Sequence, residues 1–161
     1  MNTTTASSTT EVLRTYATDS FNTASEEFVK DLQALSEESL GKSWSGTRTA
    51  YDVAYELGVL NRWLASWCRE ENPGPWPWEF GKEWLRAPAE FQNREAVIKH
   101  FQEAGQELLD SAGSDMERVV HVAEKSRPIY QLILGATKHI FYHDAQLNFI
   151  QELTGDMAVH W

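Results

Sequence analysis

The chain has 161 residues, of which 42% are hydrophobic and 24% charged, so it is long enough to bury a core and too apolar for a disordered protein. Its formal net charge of −10 and its pI near 4.9 argue against a surface that binds a phosphate backbone, and we expect no nucleic-acid partner. The single cysteine, Cys68, excludes an internal disulfide framework and is typical of a reducing cytoplasm.

The beginning of the chain is rich in serine and threonine, with neither a basic cluster nor an apolar core, which is unlike a signal peptide or a membrane anchor. No apolar run approaches the roughly 20 residues that a membrane-spanning helix needs. We therefore predict a flexible tail over residues 1–10, a single domain over residues 11–161, and a cytoplasmic protein without a membrane partner.

Apolar side chains recur at helical spacing over residues 11–40, with acidic residues between them, which predicts a first amphipathic helix. Residues 41–46 are typical of a turn. A second helix begins at an N-cap, either Thr47 or Thr49, and ends by Glu71.

The segment over residues 72–92 begins with three prolines in five residues and cannot be one helix. Its tryptophans either plug one end of the molecule or contact a ligand as part of a lid. A third helix is expected over residues 93–112, an extended or irregular crossover over residues 115–125, and a fourth helix over residues 128–153. Four helices without convincing strand pairs predict an all-α fold, a four-helix bundle with a long Trp/Pro-rich loop between helices two and three.

Two histidines of the fourth predicted helix, His139 and His143, are four residues apart and therefore lie on one face. Gln146 follows three residues later on that face. Two imidazoles on adjacent turns can form half of a metal site, whereas the alternative is a pair of interfacial histidines hydrogen-bonded to their neighbours. A metal site needs a third ligand from another helix.

Glu56 of the second helix is the candidate for that ligand. It follows Val53 by three residues and precedes Leu60 by four, beside the apolar stripe. A carboxylate there is costly unless it is paired, hydrogen-bonded or bound to a metal. The alternative is that Glu56 is a rim residue, or pairs with an arginine such as Arg62 of a neighbouring molecule.

Two motifs in these helices resemble those of the DinB-like superfamily, four-helix-bundle proteins that include the YfiT type and thiol-dependent transferases. There, a helix-two motif D-V-x-x-H-L accompanies a late H-x-x-x-H that is followed by Gln-Leu. This chain has D-V-A-Y-E-L over residues 52–57 and H-I-F-Y-H-D-A-Q-L over residues 139–147. The resemblance covers about residues 11–155, and Glu56 stands where the family has a histidine.

The resemblance implies that Glu56, His139 and His143 hold one divalent metal ion, zinc or nickel foremost, with iron or manganese as alternatives. Asp52 would accept a hydrogen bond behind a ligand or act as a base on bound water. Gln146 would orient a ligand or water, or else pack against helix two.

The implied function is that of a metal-dependent enzyme acting on a small-molecule substrate, by transfer of a low-molecular-weight thiol to an electrophile or by a related hydrolysis. The family also implies a homodimer. Because a histidine of the motif is replaced, a non-catalytic dimeric bundle that binds a metal, a ligand or a partner protein is the main alternative. An iron(II) oxygenase-like site, prompted by the two-histidine, one-carboxylate set, is a third.

Overall fold

The computed structural model describes residues 8–44, 46–76, 83–122 and 124–160, and these are mostly helical. Part of the predicted tail, residues 1–7, and part of the predicted loop, residues 77–82, lie outside the described residues. The elements in chain order are α1 (Thr9–Ala34), α2 (Glu37–Gly41), α3 (Ala50–Cys68), a 3-10 turn (Ala89–Phe91), α4 (Arg94–Ala112), β1 (Val119–Val122), β2 (Lys125–Pro128) and α5 (Ile129–Leu153).

The predicted first helix is divided in the structure, so the prediction of one helix to residue 40 was wrong. α1 ends at Ala34, Leu35 is extended, and α2 begins after Ser36. The hydroxyl of Ser36 accepts a hydrogen bond from the backbone N–H of Ser39 at 3.1 Å. This serine starts a new helix because its side chain supplies an N-cap, which an apolar periodicity does not reveal.

α3 begins at one of its two predicted caps. The hydroxyl of Thr49 accepts a hydrogen bond from the N–H of Asp52 at 3.1 Å, and a carboxylate oxygen of Asp52 accepts one from the N–H of Thr49 at 2.9 Å. This reciprocal arrangement is a capping box, which satisfies two backbone donors at the start of the helix.

A β-hairpin precedes α5, where an extended or irregular crossover without strand pairs was predicted. β1 and β2 are antiparallel, with Val120 opposite Arg127 and His121 opposite Ser126. Val120 is buried in the core. The extended alternative is confirmed for β1, as expected of β-branched residues, but the prediction of no strand pairs was wrong because a short hairpin becomes stable when it packs against helices.

α3 and α4 run in the same direction. Tyr55 stacks on His100 near the start of both helices, with ring centroids 4.9 Å apart. Near their ends, Arg69 donates a hydrogen bond to the hydroxyl of Ser111 at 2.8 Å. Because the two helices are parallel, the end of α3 and the start of α4 lie at opposite ends of the pair.

α1 and α5 also run in the same direction. Tyr16 and Phe141 line one surface cavity, and further along both helices the side-chain amide of Asn148 donates to Asp31. Along the chain, α3, α4 and the hairpin thus come between two helices, α1 and α5, that run parallel to each other.

One hydrophobic core lies between the long helices. Phe28 of α1 and Phe101 of α4 pack with ring centroids 5.1 Å apart. Phe21, earlier in α1, lies against Gly105, later in α4, so these two helices are antiparallel. Within the described ranges, no helix combines the length and the apolar character that crossing a bilayer requires.

Candidate metal centre

Three predicted ligands converge between α3 and α5. Nε2 of His139 lies 2.8 Å from Nε2 of His143. Oε1 of Glu56 lies 3.4 Å from Nε2 of His139 and 3.5 Å from Nε2 of His143. The helical spacing of four places both imidazoles on the side of α5 that faces Glu56. The three residues are close enough to bind one metal ion.

The separations fit a metal ion. Ligands at zinc distances of 2.0–2.1 Å in a tetrahedral arrangement lie about 3.3 Å from one another, and octahedral neighbours lie about 3.0 Å apart. The three distances at this site range from 2.8 to 3.5 Å, which is compatible with both arrangements. The donor set of two imidazoles and one carboxylate suits several divalent ions, so the geometry does not identify the metal.

Gln146 fixes the orientation of His143. Its side-chain oxygen lies 2.9 Å from Nδ1 of His143. Because an amide oxygen only accepts, Nδ1 carries the proton and the lone pair of Nε2 faces the other two ligands. Gln146 therefore contacts a ligand, one of its two predicted placements, and its predicted catalytic role stays a prediction. Burial lowers the pKa of His143, which favours the neutral, ligating form.

Glu56 is ionised although it is buried. Burial alone would raise its pKa, but the contacts with the imidazoles of His139 and His143 and the charge of Arg48 outweigh this effect and lower the pKa to about 2. Glu56 is not a rim residue, and it does not need an arginine of a neighbouring molecule. Arg62 instead contacts Nδ1 of His100 within the chain, at 2.9 Å.

Arg48 is the residue at this site that the sequence analysis missed. Its guanidinium forms an ion pair with Oε2 of Glu56, and the two side chains are only 8% and 4% exposed. The other side of the guanidinium lies over the ring of Trp84, 4.4 Å from the centroid. Arg48 precedes α3, so no helical spacing links it to Glu56. The available signal was the buried carboxylate itself, which requires a counter-charge.

The carboxylate of Asp52 is engaged at the start of α3. Besides the N–H of Thr49, it accepts hydrogen bonds from Arg86 and from the N–H of Ala87, both at 2.8 Å. Burial opposes ionisation, but these hydrogen bonds outweigh it and lower the pKa of Asp52. The contacts favour a structural role one turn before Glu56. The role of Asp52 in catalysis stays a prediction.

One ligand of the candidate centre is partly exposed. His143 is completely buried, whereas the side chain of His139 is 25% exposed. Tyr142 is 59% exposed, and its ring packs edge-on against that of His143 with centroids 4.9 Å apart. His139 is therefore the ligand of the centre nearest to solvent.

A second polar cluster lies between α1 and α5. Asp144 is buried against Asp31. Burial, followed by the charge of Asp31, raises the pKa of Asp144 to about 7. Asn148 donates a hydrogen bond to Asp31 and another to the backbone oxygen of Asp144. Among the described residues, Oδ1 of each aspartate has no hydrogen-bond partner.

Two other residues of reactive types have structural roles. Cys68 is buried, and burial raises the pKa of its thiol to about 11, which leaves it unreactive. His100 is buried between Tyr55 and Phe91.

No family model matches the sequence, and no curated protein matches it either. Among solved structures, the fold is similar to that of a DinB-like protein from Bacillus cereus, with a TM-score of 0.64. The similarity covers 86% of this chain and 91% of that chain, at 15% sequence identity. At this identity the likeness concerns the fold alone, and it agrees with the resemblance of the sequence motifs. The chain has a DinB-like fold.

Proposed function

We propose that the protein is a divalent-metal-dependent enzyme, built as a four-helix bundle, that acts on a small molecule. The observation that carries this proposal is the convergence of Glu56, His139 and His143, of which His139 is partly exposed. A divalent ion at such a site would lower the pKa of a bound water molecule or thiol and so activate it as a nucleophile. The chain's own residues prepare the site: Gln146 fixes the tautomer of His143, and Arg48 balances the charge of Glu56.

The reaction is transfer of a low-molecular-weight thiol to an electrophile, or the corresponding hydrolysis. In the first case the thiol loses its proton, sulfur forms a bond to the electrophilic carbon, and the leaving group departs with its electron pair. In the second case water replaces the thiol. The nucleophile comes from a cosubstrate because Cys68, the single cysteine, is buried with a raised pKa. A reducing cytoplasm would supply such a thiol.

An assay with metal-loaded and chelator-stripped protein tests the enzyme proposal. Cysteine and glutathione serve as thiols, and an aryl halide serves as the electrophile, with a hydrolysable ester in parallel. We expect turnover that requires the metal and is lost in Glu56→Ala. Turnover that is equal in the stripped protein would contradict the role of the metal.

The second candidate is a non-catalytic dimeric bundle with the same fold. The observation that favours it is the Arg48 ion pair, which satisfies the charge of Glu56 without a metal. Stoichiometric metal binding without turnover of any substrate class would support this candidate over the enzyme.

A second copy of the chain is the proposed macromolecular partner. Most of the large apolar side chains that are exposed among the described residues lie on one outer face, formed by α1, α5 and the residues after α5. We name it the α1–α5 face, with the members Val12, Tyr16, Phe141, Phe149, Met157 and Val159, which line two surface cavities that share Phe141. An exposed apolar surface of this kind is typical of an interface. We propose no nucleic-acid partner, because the net charge of −10 per chain is unfavourable for binding a phosphate backbone.

A further inference from the structure

We infer that Arg48 is a positioning residue of the candidate metal centre. It holds one oxygen of Glu56 so that the carboxylate offers only its other oxygen to a divalent ion. The inference rests on the proposed metal site and adds a residue that lies outside both sequence motifs.

The two oxygens of Glu56 have different partners. Oε2 is bound by Arg48, whereas Oε1 faces Nε2 of His139 and Nε2 of His143 at 3.4 and 3.5 Å. The carboxylate cannot rotate to exchange its oxygens without breaking the ion pair. In this buried environment, breaking the pair leaves an uncompensated charge, which is strongly unfavourable.

Arg48 is itself fixed. The ring of Trp84 lies 4.4 Å from the guanidinium, and the arginine side chain is buried. Guanidinium is planar, stacks on aromatic rings and presents its donors in a rigid arrangement, whereas the ammonium of lysine is a flexible point charge. The stacking therefore holds the arginine in the orientation from which it binds Glu56.

Restricting Glu56 to one oxygen has a consequence for the metal. A free carboxylate can bind a cation through one oxygen or through both. With Oε2 held by Arg48, the protein contributes three donor atoms, and the remaining coordination positions stay available to water and substrate. Arg48 also carries a positive charge that repels a cation, so its geometric and electrostatic effects oppose each other and can be separated.

The test compares metal affinity in three arginine variants. Arg48→Met removes the charge and the donors, Arg48→Lys keeps the charge without the planar donors, and Arg86→Met is the matched control. Arg86 also pairs with a carboxylate of α3, Asp52. Affinity for zinc is measured by competition with a chelator, and the cobalt(II)-loaded proteins are compared by visible absorption. Circular dichroism verifies that each variant is folded.

If Arg48 positions Glu56, both Arg48 variants bind zinc about 10- to 100-fold more weakly, which is the usual effect of removing a residue that orients a ligand. The cobalt spectrum changes in both, and the Arg86 control retains wild-type affinity and spectrum. Tighter binding in Arg48→Met would show that the charge repels the ion without positioning Glu56. Wild-type behaviour of Arg48→Lys, or of Arg48→Met, would also overturn the inference.

Trp84→Ala keeps the inference testable if Arg48→Met does not fold. It removes the ring that holds the guanidinium, and Trp84 is about half exposed, so the fold should tolerate the change. We expect weaker zinc binding and the same spectral change, and an unaltered centre would contradict the inference. A wild-type protein that binds no metal would refute the proposed function as well, whereas unaffected Arg48 variants would refute the positioning role alone.

Discussion

The donor atoms of the candidate centre are prepared by neighbouring side chains. Gln146 determines which nitrogen of His143 carries a proton, and Arg48 determines which oxygen of Glu56 faces the histidines. The oxygen of the Gln146 amide accepts the hydrogen bond from His143, and the guanidinium of Arg48, which can only donate, binds the carboxylate of Glu56. Three ligands and two supporting side chains thus define a site in which the ligands need little rearrangement.

Replacing Gln146 by leucine should weaken metal binding about tenfold, because His143 then loses the acceptor that fixes its tautomer. Gln146→Glu retains an acceptor and should restore most of the affinity. The measurement is a zinc competition titration, with Gln131→Leu on an exposed position of the same helix as the control. Equal affinities in wild type and Gln146→Leu would show that the contact has no influence on the centre.

Asp144 should make stability fall as the pH rises. Its pKa is raised from 3.8 to about 7 in the folded protein, chiefly by burial, so the folded state binds more protons than the unfolded state between these values. The stabilisation is complete below pH 4 and is lost as the pH rises through 7. Asp144→Asn cannot ionise, and we expect it to gain stability relative to wild type as the pH is raised from 5 to 8.

Thermal unfolding across this pH range measures the difference between the two proteins. Asp19→Asn, at an exposed position of α1, is the control for the loss of one carboxylate. If the difference between wild type and Asp144→Asn is independent of pH, Asp144 does not titrate in this range.

At the level of secondary-structure elements, the sequence predicted local features better than the arrangement of the helices. The bounds of α3, α4 and α5 follow from apolar spacing and from caps such as Thr49 and Asn93. The His139 and His143 pair was predictable for the same reason. The break at Ser36 depends on one hydroxyl, and the hairpin depends on tertiary packing, so neither appears in helical periodicity.

Packing between α3 and α4 depends on the absence of a side chain at one position. A Cβ added to Gly58 would lie 2.2 Å from Cδ2 of His100, whose ring is held between Tyr55 and Phe91. Because the ring cannot move away easily, Gly58→Ala should reduce the free energy of unfolding by about 1–3 kcal/mol.

Gly135 provides the matched control on α5. No heavy atom outside its own helix lies within 4 Å of an added Cβ, so alanine should stabilise the helix there by about 0.5–1 kcal/mol. Urea denaturation of both variants measures the two effects. A Gly58→Ala variant as stable as Gly135→Ala would contradict the close packing of α3 on α4.

At the scale of the whole molecule, the sequence motifs predicted the DinB-like fold. They did not predict the contact of Arg48 with Glu56 or the exposure of the α1–α5 face. Arg48 joins Glu56 from outside a helix, and the exposed face combines residues from both ends of the chain. Sequence periodicity assigns apolar residues to a core by default, and it does not show which of them remain uncovered after folding.

A homodimer through the α1–α5 face predicts twice the 18.4 kDa chain mass in light scattering after size-exclusion chromatography. Phe149→Arg places a charge on this face and should give the monomer mass, because burying an unpaired charge is unfavourable. Val119→Arg, also at an exposed apolar position but on the hairpin, should remain dimeric. A monomeric wild type would refute the dimer.

The metal content of the purified protein tests the central claim most directly. Protein without a histidine tag is analysed by elemental mass spectrometry beside Glu56→Ala and His139→Ala. We predict close to one divalent ion per chain in the wild type, and loss of that ion in both variants. A wild type that holds no metal, even after incubation with zinc, nickel, manganese and anaerobic iron(II), would contradict the account and leave the two histidines as structural residues.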